Sequence, residues 1–169
     1  MTDYSHIFEQ YGGHFKQSEW EPKHIGSLER IKPGFVRSVC AWRQMHGFPS
    51  MITSAWRANG AHSEAAIDAI LFHPGKWRQS SLHPNLLFQI AELGNFAGIG
   101  IYFDWYYLNN RGTRIKTAGL HVDQFDHPNR PQRWFRDIHG DYFYMSRRDG
   151  YYYHRDGRRM SLEMAINKF

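Results

Sequence analysis

The spacing of apolar positions predicts one long helix in the first third of the chain. Apolar residues recur at steps of three and four between residues 28 and 42, which is the pattern of one helix face. Pro33 suits the first turn of a helix and Gly47 suits its end, so we expect the main helix between these two positions. For residues 1–25 we expect an irregular arm that aromatic side chains anchor.

Three further segments predict strands, and one predicts a second helix. The segments 50–54 (SMITS) and 65–72 are typical of strands, and the second is apolar enough for the middle of a sheet. Residues 84–93 begin with a proline and predict a helix. Residues 98–105 (GIGIYFDW) predict another strand, and we expect a polar loop at 106–117.

Strict alternation of side-chain character predicts a strand at 119–125 (GLHVDQF). On a strand, His121, Asp123 and Phe125 share one face, while the residues between them occupy the other. His121 and Asp123 are then about 7 Å apart along the chain and point the same way.

The remaining residues, 126–169, are rich in arginine and tyrosine. Within them, DYFYMS and GYYYH flank the turn sequence RRDG and predict a hairpin, and residues 161–169 predict a short closing helix. Interleaved cations and aromatic rings suit stacking on nucleic acid or glycan, or docking on a neighbouring subunit. The interpretation we favour is an additional hairpin that covers the main sheet.

The composition excludes some classes of protein and some kinds of site, but it does not indicate one function. The 169 residues suffice for one domain with its own core, and the formal net charge of +5 favours an anionic partner. Cys40 is the single cysteine, which excludes an internal disulfide and a thiolate metal site. Neither a secretory signal nor an apolar run long enough for a membrane span is present in the sequence.

Asp68 is the feature that most needs an explanation, because it stands alone in an apolar segment. A buried charge must find a partner or a metal, or else lose its charge. His62 and His121 could complete a set of two imidazoles and one carboxylate, which is common at catalytic zinc. The alternative is that His62 is a plain loop residue and that Asp68 is hydrogen-bonded to the backbone.

The order of motifs resembles the zinc D-Ala-D-Ala carboxypeptidase family, peptidase family M15, in its phage endolysin-like branch. The motifs are SAWR at 54–57, a loop with Gly60 and His62, the segment AIDA at 66–69, GIGIY at 98–102 and HVD at 121–123. PQRWFRDIHGDYFYM at 131–145 is similar to a segment that follows the H-x-D motif in phage members. The resemblance covers roughly residues 15–145.

The resemblance implies a zinc site and assigns its residues. His62, Asp68 and His121 match the family's zinc ligands. Arg57 matches the residue that holds a substrate carboxylate or the developing oxyanion, and Ser54 and Trp56 would support substrate binding around it.

Two departures from the family pattern bear on catalysis. The family's usual form, H-x-x-G-x-A-x-D, is one residue longer than the step from His62 to Asp68, and we expect the loop before the strand to absorb the difference. Many members carry an acid three positions before the last histidine, where this chain has Ala118. Asp123 is our candidate for the missing proton acceptor, although it could instead orient a ligand; Asp104 and Glu64 are weaker candidates.

These patterns lead to one main expectation and one rival. We expect an α+β fold with a small antiparallel sheet that carries the zinc site, helices on one side and a C-terminal hairpin, as in the hedgehog/DD-peptidase fold. Residues 1–125 would form the core with its N-terminal arm, and 126–169 the extension packed on the same domain. As the resemblance implies, the function would be hydrolysis of peptidoglycan stem peptides, with Zn²⁺ as cofactor.

The expected site of action follows from the same resemblance. The protein would be made in the cytoplasm without a signal peptide and would act at the bacterial cell wall, after release or as part of a virion. We expect neither a nucleic-acid partner nor a membrane span. The rival is a structural phage virion protein of the tail or capsid that keeps the fold with little or no activity, and whose C-terminal extension contacts other virion proteins.

Overall fold

The computed structural model describes residues 4–21, 26–58, 60–125 and 131–169, and within them one sheet of eight strands organises the chain. The strands are β1 Ser50–Ser54, β2 Ala66–Leu71, β3 Gly98–Leu108, β4 Arg114–Asp123, β5 Gln132–Arg136, β6 Tyr142–Met145, β7 Tyr152–Tyr153 and β8 Arg159–Met160. Their order across the sheet is β1-β2-β4-β3-β5-β6-β7-β8. The fold is therefore α+β, as expected from the sequence.

The helices pack on one face of this sheet. Four α-helices lie within the described residues: α1 Ser5–Gln10, α2 Pro33–His46, α3 Pro84–Glu92 and α4 Leu162–Asn167. Buried side chains of all four join one cluster with Ile67, Leu120 and Ile101 from the central strands. The indole of Trp42 in α2 also donates a hydrogen bond of 2.8 Å to the carbonyl oxygen of Ile90 in α3. The opposite face of the sheet is left for the functional side chains.

The sheet is larger than expected, and it is mixed rather than antiparallel. Strand β5 pairs parallel with β3, while every other neighbouring pair is antiparallel. Strand β4 lies between β2 and β3, so both of its edges are already paired. The next strand, β5, therefore pairs with the free edge of β3. Both Asp123 at the end of β4 and Gln132 at the start of β5 lie opposite Gly98, so β5 begins beside the start of β3 and runs in the same direction.

Several predicted elements are confirmed and others need correction. The main helix begins at Pro33 and Gly47 ends it with a φ of 73°, as expected. The expected polar loop at 106–117 is wrong, because β3 runs to Leu108 and β4 begins at Arg114. Alternate residues of these strand ends face solvent. The polar sequence of such an exposed hairpin resembles that of a loop, which explains the wrong prediction.

The two ends of the chain are also more regular than expected. The N-terminal arm contains α1 and a 3-10 helix at Gln17–Trp20, whose Trp20 is fully buried. The expected hairpin is present as β6 and β7, and the closing helix as α4. Strands β5 to β8 extend the main sheet from the edge of β3. The expectation that the hairpin covers the main sheet is therefore wrong, because the hairpin adds strands to it. Residues 1–3 and 22–25 of the expected arm, and 126–130 of the expected extension, lie outside the described residues.

Gly100 in β3 permits a close approach that shapes the free face of the sheet. A Cβ atom at this position would lie 2.2 Å from the indole ring of Trp134 in β5. That indole also lies beside His121, with 5.3 Å between the ring centroids. The missing side chain therefore lets Trp134 lean across β3 toward β4.

Gly100→Ala should consequently destabilise the protein. Because the indole is held in a packed position, we expect the free energy of unfolding to fall by about 1–3 kcal/mol, as for other overpacked sites. Urea denaturation would measure the change. Gly34→Ala is the matched control, since no atom lies within 4 Å of its new Cβ atom. Equal stability of the Gly100→Ala and wild-type proteins would contradict the described packing.

Candidate metal centre

Strand register brings Asp68 and His121 together on the free face of the sheet. Asp68 in β2 is directly opposite His121 in β4, and the pairing is regular from Ala66 to Ala69. Asp68 Oδ1 lies 2.9 Å from His121 Nδ1. The expectation that Asp68 points toward His121 is thus confirmed, and the shortened spacing leaves the register of β2 against β4 intact.

His62 reaches the same point from a short loop. It lies on the 3-10 turn Gly60–Ser63, and its carbonyl oxygen accepts a hydrogen bond of 3.0 Å from the backbone N–H of Arg57. Its Nδ1 contacts the backbone carbonyl of Ala55. Because a carbonyl only accepts, Nδ1 carries a proton, which leaves Nε2, the nitrogen that faces Asp68 and His121, as the atom that a metal ion could bind.

The three ligand atoms have the spacing that a tetrahedral zinc ion requires. His62 Nε2 lies 3.3 Å from both His121 Nδ1 and Asp68 Oδ1, and the third separation is 2.9 Å. Ligands about 2.0–2.1 Å from a tetrahedral ion lie about 3.3 Å apart. All three residues are buried, so the donor set, its spacing and its shielding from water fit a bound metal ion.

Two carboxylates determine the charge of His121. Burial disfavours its charged form, but hydrogen bonds to Asp123 and Asp68 outweigh burial and raise the pKa of His121 to about 9. Burial likewise opposes the charge of Asp68, yet its bonds to His121 and His62 hold the pKa of this carboxyl well below its usual range. Without a metal, His121 is therefore protonated at neutral pH, and its Nδ1 carries a proton at the position where a metal ion could bind.

Asp123 contacts the side of the His121 ring that faces away from the cluster. Its Oδ2 lies 2.9 Å from His121 Nε2, and its Oδ1 accepts a hydrogen bond of 3.0 Å from the backbone N–H of Phe125. A carboxylate that holds the second nitrogen of a ligand histidine fixes its orientation and its tautomer. Of the two roles considered for Asp123, this contact favours the orienting one.

Arg57 and Tyr102 complete the surroundings of Asp68. Arg57 donates a hydrogen bond of 3.1 Å from its guanidinium to Asp68 Oδ2, and the Tyr102 hydroxyl donates one of 3.2 Å to Oδ1. Burial and the charge of Asp68 raise the pKa of Tyr102. Tyr102 was not predicted from the sequence, because its place on the face that holds His121 follows from the pairing of β3 with β4, in which Gly100 lies opposite His121.

An open cleft of about 560 Å³ lies over the cluster. Arg57 lines it and is the one lysine or arginine among its described lining residues. The other lining residues are Ala58, Ala61, His62, Tyr102, His121, Asp123, Gln132, Trp134, Tyr142 and Tyr144. The cleft thus joins the candidate metal centre to aromatic side chains of β5 and β6.

Ser54 and Trp56 lie outside the described lining of this cleft. Ser54 is buried at the end of β1, where it is paired with Asp68, and the guanidinium of Arg30 lies 4.3 Å from the ring of Trp56. Both residues precede Arg57 in the chain: Ser54 ends β1, and Trp56 is the neighbour of Arg57. A substrate-binding role for them stays a prediction.

The two weaker candidates for a proton acceptor form ion pairs with other side chains. Asp104 accepts a hydrogen bond of 2.8 Å from Arg136, and Glu64 forms a surface ion pair with Lys32. Ala118 is buried in the core cluster on the helix-covered face. A carboxylate at position 118 would therefore face the core rather than His121.

Comparison of the chain with protein-family models, with curated proteins and with solved structures finds no match. The resemblance to the M15 family therefore depends on the sequence motifs alone. No helix in the described parts of the chain has the length and apolarity needed to cross a membrane.

Metal binding can be tested with a single substitution. His121→Ala should lower bound zinc to background, because it removes one of three ligands and leaves the carboxylates without an imidazole between them. Metal content of the purified protein, measured by atomic emission after dialysis against zinc, gives the result. His73→Ala, which changes an exposed histidine, is the control. Unchanged zinc in the His121→Ala protein would show that the ligand assignment is wrong.

The pKa of His121 also predicts how stability depends on pH. The value of about 9 in the folded chain exceeds the ordinary value of 6.5, so the folded chain binds this proton more tightly. That contribution is complete below pH 6.5 and is lost as the pH rises to about 9. After chelation, the free energy of unfolding should fall across this window, as urea denaturation would show. Zinc-loaded protein should lack this loss, because a metal binds the neutral imidazole. The prediction would be contradicted if the free energy of unfolding of the chelated His121→Ala protein fell equally steeply with pH.

Proposed function

We propose that this protein is a zinc-dependent hydrolase of peptide bonds in peptidoglycan stem peptides. The observation that carries the proposal is the tetrahedral spacing of three buried ligand atoms beneath an open cleft. The motifs that resemble the M15 family supply the substrate class, and the proposed fold is the hedgehog/DD-peptidase fold of that family.

The ligand set fits a catalytic rather than a structural zinc. His62, Asp68 and His121 provide three protein ligands, whereas structural sites are closed by four. When bound, zinc lowers the pKa of water toward neutrality and polarises a carbonyl group. The cleft gives a substrate carbonyl access to this position, because both histidines line it.

Arg57 would select the charged end of the substrate. The exposed fraction of its side chain is 46%, while Asp68 beneath it is almost fully buried. One part of the guanidinium therefore holds Asp68, and the other part faces the cleft. As the one lysine or arginine among the described residues that line the cleft, it would bind a peptide carboxylate or stabilise a developing oxyanion.

Asp123 and Tyr102 would act through the ligands. Asp123 holds the proton on His121 Nε2 and so keeps Nδ1 directed at the cluster. Tyr102 donates to the same Asp68 oxygen that lies nearest the imidazoles, which fixes the carboxylate in one orientation. In this arrangement both residues position the ligands of the metal.

Release of muropeptides from purified cell walls tests the proposed activity. We expect zinc-loaded wild-type protein to release them and chelated protein to release none. Asp123→Asn should slow release about 10- to 100-fold, in step with weaker zinc binding, because an amide orients His121 less well. His73→Ala should match the wild type, since His73 is exposed and is not among the lining residues of the cleft.

Two other outcomes would change the assignment. A fall of about 100- to 10,000-fold with zinc content unchanged would make Asp123 the proton acceptor itself. Tight zinc binding without release from any of several wall types would contradict the enzyme and would support a structural virion protein that keeps the metal centre.

A further inference from the structure

One row of directly paired residues crosses the sheet from the candidate metal centre toward its far edge. In order across β2, β4, β3, β5, β6 and β7, the partners are Asp68, His121, Gly100, Trp134, Tyr144 and Tyr153. Directly opposed residues point to the same face of a sheet. We call Trp134, Tyr144 and Tyr153 the aromatic row.

The aromatic row begins against the metal ligands and is accessible beyond its first member. Trp134 is buried against His121, with 5.3 Å between ring centroids, whereas Tyr144 is 44% exposed and Tyr153 is half-buried. Tyr142 stands beside Tyr144 with its ring nearly parallel, at 16° and 6.3 Å. With strands about 4.8 Å apart, the four steps from His121 to Tyr153 span about 19 Å. A binding surface of that length is longer than the site that a single scissile peptide bond would occupy.

Cavities lie on both sides of the two tyrosines. Tyr142 and Tyr144 line the cleft over the metal centre and also a second pocket of about 360 Å³. Gly140, Asp141, His154 and Arg155 complete that second pocket. The two tyrosines therefore form a shared wall, and a chain-like ligand could lie across them from one pocket to the other.

Several arginines lie beside the aromatic row, and they contact other side chains of the protein. Arg136 is paired with Asp104 at 2.8 Å, and Arg158 is paired with Asp141 of the outer pocket at 2.7 Å. Arg159, which lies directly opposite Tyr153, has its guanidinium 4.3 Å from the ring of Tyr151. A nucleic acid derives most of its affinity from cations that neutralise phosphates, so these internal contacts favour a ligand that binds through the aromatic rings.

An extended peptide fits the row less well than a polysaccharide does. Peptides that bind sheets add to an exposed strand edge and pair with its backbone, whereas the aromatic row crosses the strands over their side chains. An uncharged, hydroxyl-rich polymer with flat apolar faces matches the aromatic faces, and its hydroxyl groups can form hydrogen bonds with the charged side chains of the outer pocket, such as Asp141 and Arg155. Sugar rings have these properties.

We propose that the aromatic row binds the glycan strand of the cell wall. This inference rests on the proposed function, because it places the glycan so that an attached stem peptide enters the cleft over the metal centre. The row would then hold the enzyme on its polymer through contacts separate from the metal ligands.

Binding to a peptide-free glycan tests the proposal independently of hydrolysis. The probe is a soluble chitin oligosaccharide, which has the N-acetylated sugar rings of the glycan strand but no stem peptide and no charge, and the protein is the full chain with its zinc chelated. We expect Tyr144→Ala to weaken binding about tenfold, which corresponds to about 1.4 kcal/mol. Tyr144→Phe, which keeps the ring, should bind within about twofold of the wild type. Tyr106→Ala is the matched control, because Tyr106 is an exposed tyrosine of β3 that is not among the described lining of either pocket.

Several results would overturn the inference. The wild-type protein could fail to bind the glycan, or the Tyr144→Ala protein could bind it as well as the wild type does. The Tyr144→Ala and Tyr106→Ala substitutions could also weaken glycan binding equally. Tighter binding of single-stranded DNA that Tyr144→Ala abolishes would assign the row to nucleic acid instead. Glycan binding in a protein that releases no muropeptides would refute the proposed hydrolysis alone, and muropeptide release without glycan binding would refute the aromatic row alone.

Discussion

The charge of Asp68 is the constraint around which the free face of the sheet is organised. A carboxylate that is 1% exposed loses nearly all of its hydration, and this cost is large unless several donors replace the lost water. Here His121, Tyr102 and Arg57 contact its two oxygens, and His62 lies within 3.3 Å. These donors come from β4, β3 and the segment between β1 and β2, so the burial of one charge determines how three parts of the chain converge.

In the same arrangement, a proton and a metal ion would compete for one position. Both carboxylates favour a positive charge on His121 in the absence of a metal, and a metal ion would have to displace that proton to reach Nδ1. With a divalent ion bound and both imidazoles neutral, the charges of Asp68, Asp123, Arg57 and the ion leave one net positive charge. A centre of that sign attracts a carboxylate and stabilises an oxyanion, which is the chemistry that amide hydrolysis requires.

The sequence predicts the parts of the site that depend on short-range periodicity. Alternation in 119–125 correctly places His121 and Asp123 on one face, and the isolated carboxylate in 65–72 correctly identifies Asp68 as a residue that needs partners. Tyr102 was not predicted, because its contact with Asp68 depends on the register between β3 and β4, which no local pattern determines. The parallel pairing of β3 and β5 is likewise a consequence of long-range strand order.

Two glycines make the aromatic surroundings of the candidate metal centre possible. Gly100 leaves room for Trp134, and Gly119 leaves room for Trp105, whose ring would lie 2.7 Å from a Cβ atom there. Trp105 stacks on Tyr102 at 4.4 Å and 25°, while Trp134 packs edge-on against the same tyrosine and also contacts His121. Each tryptophan thus occupies space that a side chain in β3 or β4 would otherwise fill. The tryptophans restrict the orientations of Tyr102 and His121, and through these residues they hold the oxygen and nitrogen atoms of the ligand cluster at their observed spacing.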